Sequence, residues 1–184
     1  MTGRLAIVTG ASGGLGPAIA RRIAEDFDTV LLTDVREERL ETLAAEIEGT
    51  GGARVLAMRC DVSDPAEVAA VYEAAAQEGS ISGLVNAAGI GIYTPLIEIT
   101  PEHWDCMFAI NTRGTFLMSQ EFVRRAEPPA AIVNISSVGA RAGNDMLAHY
   151  GASKAAVIEF SHSVARACAR TGIRSNPVMP GIIF

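Results

Sequence analysis

Lysine is almost absent from this chain: Lys154 stands alone against fourteen arginines. Guanidinium and ammonium differ in shape, hydration and tunable pKa, so the one lysine marks a position with its own requirement. Cysteine is scarce too. Cys60, Cys106 and Cys168 are odd in number, far apart and set in apolar segments, with neither C-x-x-C nor zinc-ligand spacing. Buried free thiols in a reducing cytoplasm are expected, and disulfide scaffolds or metal sites are not. No apolar run reaches the roughly 18 residues of a membrane-spanning helix. Met1–Gly10 is broken too early by glycine to read as a secretory signal. No long Lys/Arg cluster accompanies the net charge of −6, which disfavours nucleic acid as a partner. What is there is 49% hydrophobic residues in 184, enough for one sizeable core, so residues 1–184 are expected to form one domain.

Apolar runs of strand length alternate with helical patterns. Leu5–Val8 reads as a first strand, and Ile19, Ile23 and Phe27 follow at helical spacing. Thr29–Thr33 reads as a second strand ending at Asp34, and the next helix carries Leu40, Leu43, Ala44 and Ile47 on one face. Arg54–Arg59 is a third strand. Asp64-Pro65-Ala66-Glu67 has the form of a helix start, with Val68, Val71, Tyr72 and Ala75 facing inward. Ile81–Asn86 is a fourth strand, Thr100-Pro101-Glu102 opens a long helix to about Arg125, and Ala131–Ile135 is a fifth strand. A helix from about Tyr150 to Arg170 stops at Gly172, before a sixth strand at Ile173–Val178. Alternating strands and helices with continuous apolar strands predict an α/β fold, a doubly wound parallel sheet of Rossmann type with six strands.

Two groups of residues carry chemistry. The first strand runs into Thr9-Gly10-Ala11-Ser12-Gly13-Gly14-Leu15-Gly16. Glycines there allow a tight turn and bring backbone N–H groups, backed by a helix N-terminus, toward a phosphate. Asp34 lies eighteen residues past Gly16, at the end of the second strand. An acidic residue there accepts ribose hydroxyls of NAD and repels the extra phosphate of NADP; it equally suits a helix cap before Arg36. No basic residue lies inside the glycine loop, which further favours NAD. In the second group, Tyr150 and Lys154 stand at i and i+4, on one helix face. A phenol is a poor base near neutral pH, and a neighbouring ammonium favours its ionised form, readying it for proton transfer. Ser137 ends a strand thirteen residues before Tyr150, at the sheet edge where such folds bind ligands. Ser136 is the alternative in register.

These motifs, in this order, resemble the short-chain dehydrogenase/reductase family over roughly residues 4–183. T-G-x-x-x-G-x-G matches its cofactor signature, Asp61-Val62 its adenine-contacting pair, Asn86-Ala87-Ala88-Gly89 its Asn-x-Ala-Gly element, and Pro180-Gly181 the element beside the nicotinamide. The resemblance implies cofactor contacts at Gly10, Ser12, Gly14, Leu15, Gly16, Asp34, Asp61, Val62, Asn86, Ala87, Ala88, Gly89, Tyr150, Lys154, Pro180 and Gly181. It implies a catalytic set of Ser137, Tyr150, Lys154 and Asn111, the last supporting a water that links the lysine to solvent. Asn86 also reads as a turn-stabilising residue. The implied activity is hydride transfer between NAD(H) and a secondary alcohol/ketone substrate. The helices near 102–125 and 150–170 form a dimer face in the family, so a homo-oligomer is an expectation. Family members usually continue well past Phe184, with a substrate-covering segment and a seventh strand, and Pro177 suits an edge strand better than a central one. A dinucleotide-binding module with little or no activity is therefore the competing expectation. Residues 90–99 and 138–149 are expected to line part of the pocket, with Tyr93, Met146 and Leu147 as apolar contacts.

Overall fold

The computed structural model describes residues 3–182, so the outermost two positions at each end of the expected 1–184 unit lie outside the described residues. The strands are β1 (Arg4–Thr9), β2 (Thr29–Asp34), β3 (Arg54–Arg59), β4 (Ser80–Asn86), β5 (Ala130–Ile135) and β6 (Ile173–Val178). The helices are α1 (Gly16–Ala24), α2 (Glu37–Gly49), α3 (Pro65–Glu78), α4 (Pro101–Phe108), α5 (Thr115–Arg125) and α6 (Ala148–Ala167). The strands form one parallel sheet in the order β3-β2-β1-β4-β5-β6, the doubly wound arrangement expected. Strand order reverses between β1 and β4, and the loops leaving their carboxyl ends part there to open a crevice. No helix of the described residues is long and apolar enough to cross a membrane.

Continuous apolar strands are buried because helices cover both faces. Leu5, Ile7, Leu31, Leu84 and Ile132 point toward α3 and α5, where Val71, Tyr72, Met118 and Phe122 meet them. Val8, Val30, Leu32 and Val55 point the other way, toward Ala20, Leu40, Leu43 and Ile47 of α1 and α2. Each fully buried aliphatic side chain of this kind stabilises the fold by about 1.5–3 kcal/mol. The Tyr72 hydroxyl donates to the Met118 carbonyl at 2.6 Å, so the largest of these side chains leaves no unpaired polar tip. Asp64 caps α3 by accepting from the Ala66 and Glu67 N–H groups, and Val68, Val71, Tyr72 and Ala75 face inward as their spacing predicts.

Four details depart from expectation. The buried stripe of α1 is Gly16, Ala20 and Ala24, while Ile19 and Ile23 sit half-buried beside it and Phe27 lies past the helix end. Small side chains let α1 approach the sheet closely. The long helix expected to Arg125 is interrupted: Ala109–Gly114 winds as a π-helical turn between α4 and α5. Helix α6 begins at Ala148, placing Tyr150 in its first turn, and ends at Ala167 because the chain turns through Cys168–Gly172 (Gly172 φ 79°) into β6. Cys60 and Cys168 are buried, but Cys106 is exposed. It lies on α4, where only Met107 is buried, so apolar neighbours in sequence did not place it in the core.

Candidate active site

The turn after β1 is shaped by glycine. Gly10 (φ 63°) and Gly14 (φ 54°) adopt left-handed backbone. Gly10 also has no room for a side chain, since a Cβ would stand 2.6 Å from the backbone nitrogen and Cα of Ala88. At Gly16 a Cβ would strike the Gly10 carbonyl and come within 2.7 Å of the Ala11 Cα. The first turn of α1 is thus drawn tightly behind the loop, and its N-terminus faces an open cradle lined by backbone. Unpaired N–H groups and the positive end of the helix suit a pyrophosphate, so the residues present fit a dinucleotide. We expect Gly16→Ala to destabilise the fold by about 1–3 kcal/mol, the usual cost of overpacking, and to weaken dinucleotide binding at least about tenfold. Urea unfolding and a binding titration check both parts.

The opposite wall follows β4. Thr9, buried at the end of β1, accepts from the N–H groups of Ala87 and Ala88, both at 3.1 Å, and pins that segment across the crevice. A cavity of about 480 Å³ lies between the walls, bounded by Gly10, Gly14, Leu15, Asp34, Asp61, Val62, Ala87, Ala88 and Gly89. Asp61 accepts from the backbone and hydroxyl of Ser63 at 2.9 and 2.8 Å. Three residues expected among the cofactor contacts sit behind this surface. Gly16 is packed under the loop. Ser12 faces the groove between α1 and α2, and its N–H donates to Asp34. Asn86 turns into the protein, where its Nδ2 donates to Ser119 at 3.0 Å and to Asn134 at 2.8 Å. Asn134 in turn donates to Ser161 at 2.8 Å. The amide side chain of Asn86 therefore fastens β4, β5, α5 and α6 together, a broader role than stabilising a turn.

Asp34 is buried and heavily engaged. Its carboxylate accepts from the Ser12 N–H (3.2 Å), the Arg36 N–H (3.2 Å), Arg36 Nε (3.2 Å) and Arg36 Nη2 (3.3 Å). Burial alone would push the carboxyl up, but hydrogen bonds from Arg36 and Ser12 outweigh it and hold the group below its ordinary value. Asp34 does not cap α2: Arg36 occupies that position without a side-chain cap. Arg36 is the residue that reading along the sequence missed. Although no basic residue lies within the glycine loop, this guanidinium comes over it from β2, with Cζ and Nη1 3.2 and 3.3 Å from where a Gly13 Cβ would stand.

A second cavity, about 610 Å³, adjoins the first through Leu15, Ala87, Gly89 and Ile90. Ser137, Tyr150, Lys154, Pro180 and Gly181 all line it. Ser137 follows β5 and accepts from the Gly139 N–H at 3.1 Å, opening a short turn over Val138–Ala140. Ser136 lines the cavity as well, but its hydroxyl donates to the Lys154 carbonyl at 2.7 Å and is spent on holding α6. The Tyr150 ring packs 3.5 Å from where Cβ atoms of Gly91 and Gly139 would stand, so two glycines flank it. Lys154 is buried, and Nζ donates to the Ile135 carbonyl at 2.9 Å while standing 6.0 Å from the Tyr150 ring centre. Desolvation lowers the Lys154 pKa to about 8.

Asn111 lies in the π-helical turn, fully buried. Its Oδ1 accepts from the Ile90 N–H at 2.8 Å, and its Nδ2 donates to the Ile90 carbonyl and to Ser153 Oγ, each at 3.0 Å. Asn111 Oδ1 and Lys154 Nζ each lie 3.1 Å from where a Gly89 Cβ would stand, so they flank the same glycine. Of the expected pocket residues, Tyr93 and Leu147 line the cavity. Met146 instead ties the two loops together, its carbonyl accepting from Thr94 N–H at 2.8 Å.

Known proteins share this fold and much of the sequence. The sequence model of the family described as short chain dehydrogenase matches residues 4–184. The chain is 38% identical to D-threitol dehydrogenase of Mycolicibacterium smegmatis over 187 residues, covering all of this chain and 72% of that protein. It is 35% identical to the 3-oxoacyl-(acyl-carrier-protein) reductase FabG of Thermotoga maritima, covering all of this chain and 75% of that one. A crystal structure of a short chain dehydrogenase from Mycobacterium smegmatis superposes with a TM-score of 0.92 at 30% identity, over all of this chain and 78% of its own.

Proposed function

The chain belongs to the short-chain dehydrogenase/reductase family, and from that premise we propose that it is an NAD(H)-dependent oxidoreductase acting on a secondary alcohol/ketone pair. Residues 1–184 would act as one unit that both holds the dinucleotide and supplies the catalytic side chains. The observation that carries this reading is that Ser137, Tyr150 and Lys154 line one cavity, continuous with the cleft under the glycine loop. When bound, NAD(H) accepts or donates the hydride. Gly10, Gly14 and Leu15 would border its pyrophosphate, Asp34 its adenosine ribose, Asp61 and Val62 its adenine, and Pro180 and Gly181 its nicotinamide end.

Ser137 Oγ would hydrogen-bond the reacting oxygen and steady the charge that develops on it. Tyr150 would give that oxygen a proton during reduction and take one from the alcohol during oxidation. Lys154 supplies a positive charge beside the phenol and, with the Ile135 carbonyl as its anchor, holds one orientation. Asn111 positions rather than reacts: it ties the Ile90 segment to Ser153, the neighbour of Lys154 in α6, and would support the proton path from the lysine to solvent. Both polyol dehydrogenation and keto reduction occur among the names of the relatives, which supports the alcohol/ketone class in either direction. A cytoplasmic location accords with the two buried free thiols. A second copy of the chain is the expected partner, through α4, α5 and α6, where Trp104, Phe116 and Val123 are exposed.

The test pairs two measurements on the same preparation. NADH binding followed by fluorescence, together with turnover of NADH against a panel of ketones, supports the proposal. Binding without turnover of any panel member favours the inactive dinucleotide-binding module, and absence of binding removes both. Light scattering across a concentration series reads the oligomeric state separately.

A further inference from the structure

The cavity around Tyr150 is poor in charge. Among the residues that line it, Lys154 alone carries one. Its ammonium is buried beside the Tyr150 ring and already donates to the Ile135 carbonyl, so it does not reach toward the mouth. Arg141 and Asp145 belong to the loop that forms one wall, but both are exposed and neither borders the cavity. A carboxylate or phosphate on the substrate would therefore leave water without gaining a partner among the described residues, and an unpaired buried charge is costly.

Hydrogen-bonding side chains are few as well. Ser136 is spent on the Lys154 carbonyl, and Ser137 and Tyr150 would hold the reacting oxygen. Asn144 Oδ1 accepts from the Met146 N–H, which leaves the Asn144 amide nitrogen and the Tyr93 hydroxyl for the rest of the substrate. A row of hydroxyls finds too few partners here, and each one left unpaired weakens binding. Carbon, by contrast, is met from two sides. Val138 and Leu147 line the cavity from one loop, Ile90 and Tyr93 from the other, and the bond from Thr94 N–H to the Met146 carbonyl holds the loops together. The loop of Tyr93 continues into Leu96 and Ile97, 66% and 93% exposed, so apolar surface extends outward from the wall. A cavity of about 610 Å³ has room for a ring system.

We propose that the substrate is an uncharged, mainly hydrocarbon ketone of alicyclic or aryl-alkyl type, with the corresponding secondary alcohol in the other direction. This rests on the oxidoreductase reading above and narrows its substrate class. In reduction the carbonyl carbon takes the hydride of NADH and its oxygen takes the Tyr150 proton, which leaves the alcohol and NAD+.

Steady-state turnover of NADH by the full chain tests it with two matched comparisons. The first sets 4-methylcyclohexanone against erythrulose, a small ketone carrying several hydroxyls, and kcat/KM is expected to favour the cyclic ketone by at least about a hundredfold. The second sets methyl 5-oxohexanoate against 5-oxohexanoate, which differ in charge and little in shape, and the ester is expected to lead by at least about tenfold. Val138→Arg places a guanidinium on the cavity wall at a position 47% exposed. It is expected to move the acid-to-ester ratio toward the acid by roughly tenfold. Tyr93→Arg repeats that test from the opposite loop if the first variant melts early. Erythrulose or the free acid turned over as well as its counterpart overturns the proposal, and so does an acid-to-ester ratio that neither folded arginine variant moves. The oxidoreductase reading survives each of those results, since ketones are still reduced. NADH left unconsumed with every ketone defeats that reading, and this inference with it.

Discussion

Tyr150→Phe lowers kcat by roughly two to four orders of magnitude, the usual contribution of a positioned general acid or base, and leaves NADH affinity within about threefold. The substitution removes one oxygen and keeps the ring, which packs between Gly91 and Gly139 at the cavity wall. The half-buried ring already occupies its place, so no cavity forms and stability stays close to that of the parent. What disappears is the group proposed to exchange a proton with the substrate oxygen. Ser137 and Lys154 remain, and with them the residual rate that alignment and charge provide. Ser137→Ala serves as the comparison, because it would delete the proposed hydrogen bond to the reacting oxygen rather than the proton carrier. A Tyr150→Phe protein with undiminished turnover of the best ketone in the panel would remove Tyr150 from the mechanism. One whose melting temperature also fell sharply would mean that the hydroxyl holds the fold instead.

The frame that positions Tyr150 was largely legible in the sequence. Strands β2, β3 and β6 announce themselves as runs bounded by turn residues, and α3 by a capping box followed by Val68, Val71, Tyr72 and Ala75 at helical spacing. These signals are local and their physical causes lie within a few residues of one another. Other features arise only from folding. The π-helical turn at Ala109–Gly114 leaves no periodic mark, yet it carries Asn111 toward Ile90, twenty-one residues earlier. Asn86 reads as a turn residue in sequence, but β4 and β5 pair in register at Asn86 and Asn134, which brings two amides face to face beneath α5 and α6. The partners lie up to 48 residues apart, and the network is not complete, since Asn86 Oδ1 is buried without a hydrogen-bond partner.

The candidate site divides in the same way. The glycine loop and the Tyr150–Lys154 pair are contiguous motifs, and each follows directly from spacing. The side of the cleft at Asp34 does not. Its chemistry depends on whether the carboxylate is free or covered, and the residue that covers it stands two positions on, at the cap of α2, with a side chain that folds back. Arg36 stands beside Glu37 and Glu38 at a charged helix start, and only its fold back over Gly13 brings it to the wall of the cleft. Ser136 and Ser137 illustrate the opposite case. Adjacent serines are ambiguous in sequence, and the hydrogen bond from Ser136 to the Lys154 carbonyl separates a structural hydroxyl from an available one.

Lys154→Met makes the protein more stable near neutral pH while abolishing turnover. The ammonium is buried with one protein carbonyl as its anchor, and desolvation brings its pKa from 10.5 to about 8. The folded state therefore binds fewer protons than the unfolded state between those two values, and stability rises with pH across that window. Below about pH 8 the lysine is charged in both states and the full burial cost is present, on the order of 3 kcal/mol. Methionine has similar length and no charge to desolvate, and loss of the bond to the Ile135 carbonyl costs about 1 kcal/mol in return. The net gain at pH 7 is about 1–2 kcal/mol. Since the burial cost fades as the lysine loses its proton, the advantage of methionine shrinks by about 2 kcal/mol between pH 7 and pH 10 and is expected to vanish or reverse there. Urea unfolding of both proteins at the two pH values reads this directly. A gap that stays constant with pH would show that burial does not depress the Lys154 pKa, and its single occurrence among fourteen arginines would then need another cause than the chemistry of the site. A gap that closes as described identifies the lysine as a residue retained against the interest of the fold, which is the physical signature of a group kept for function.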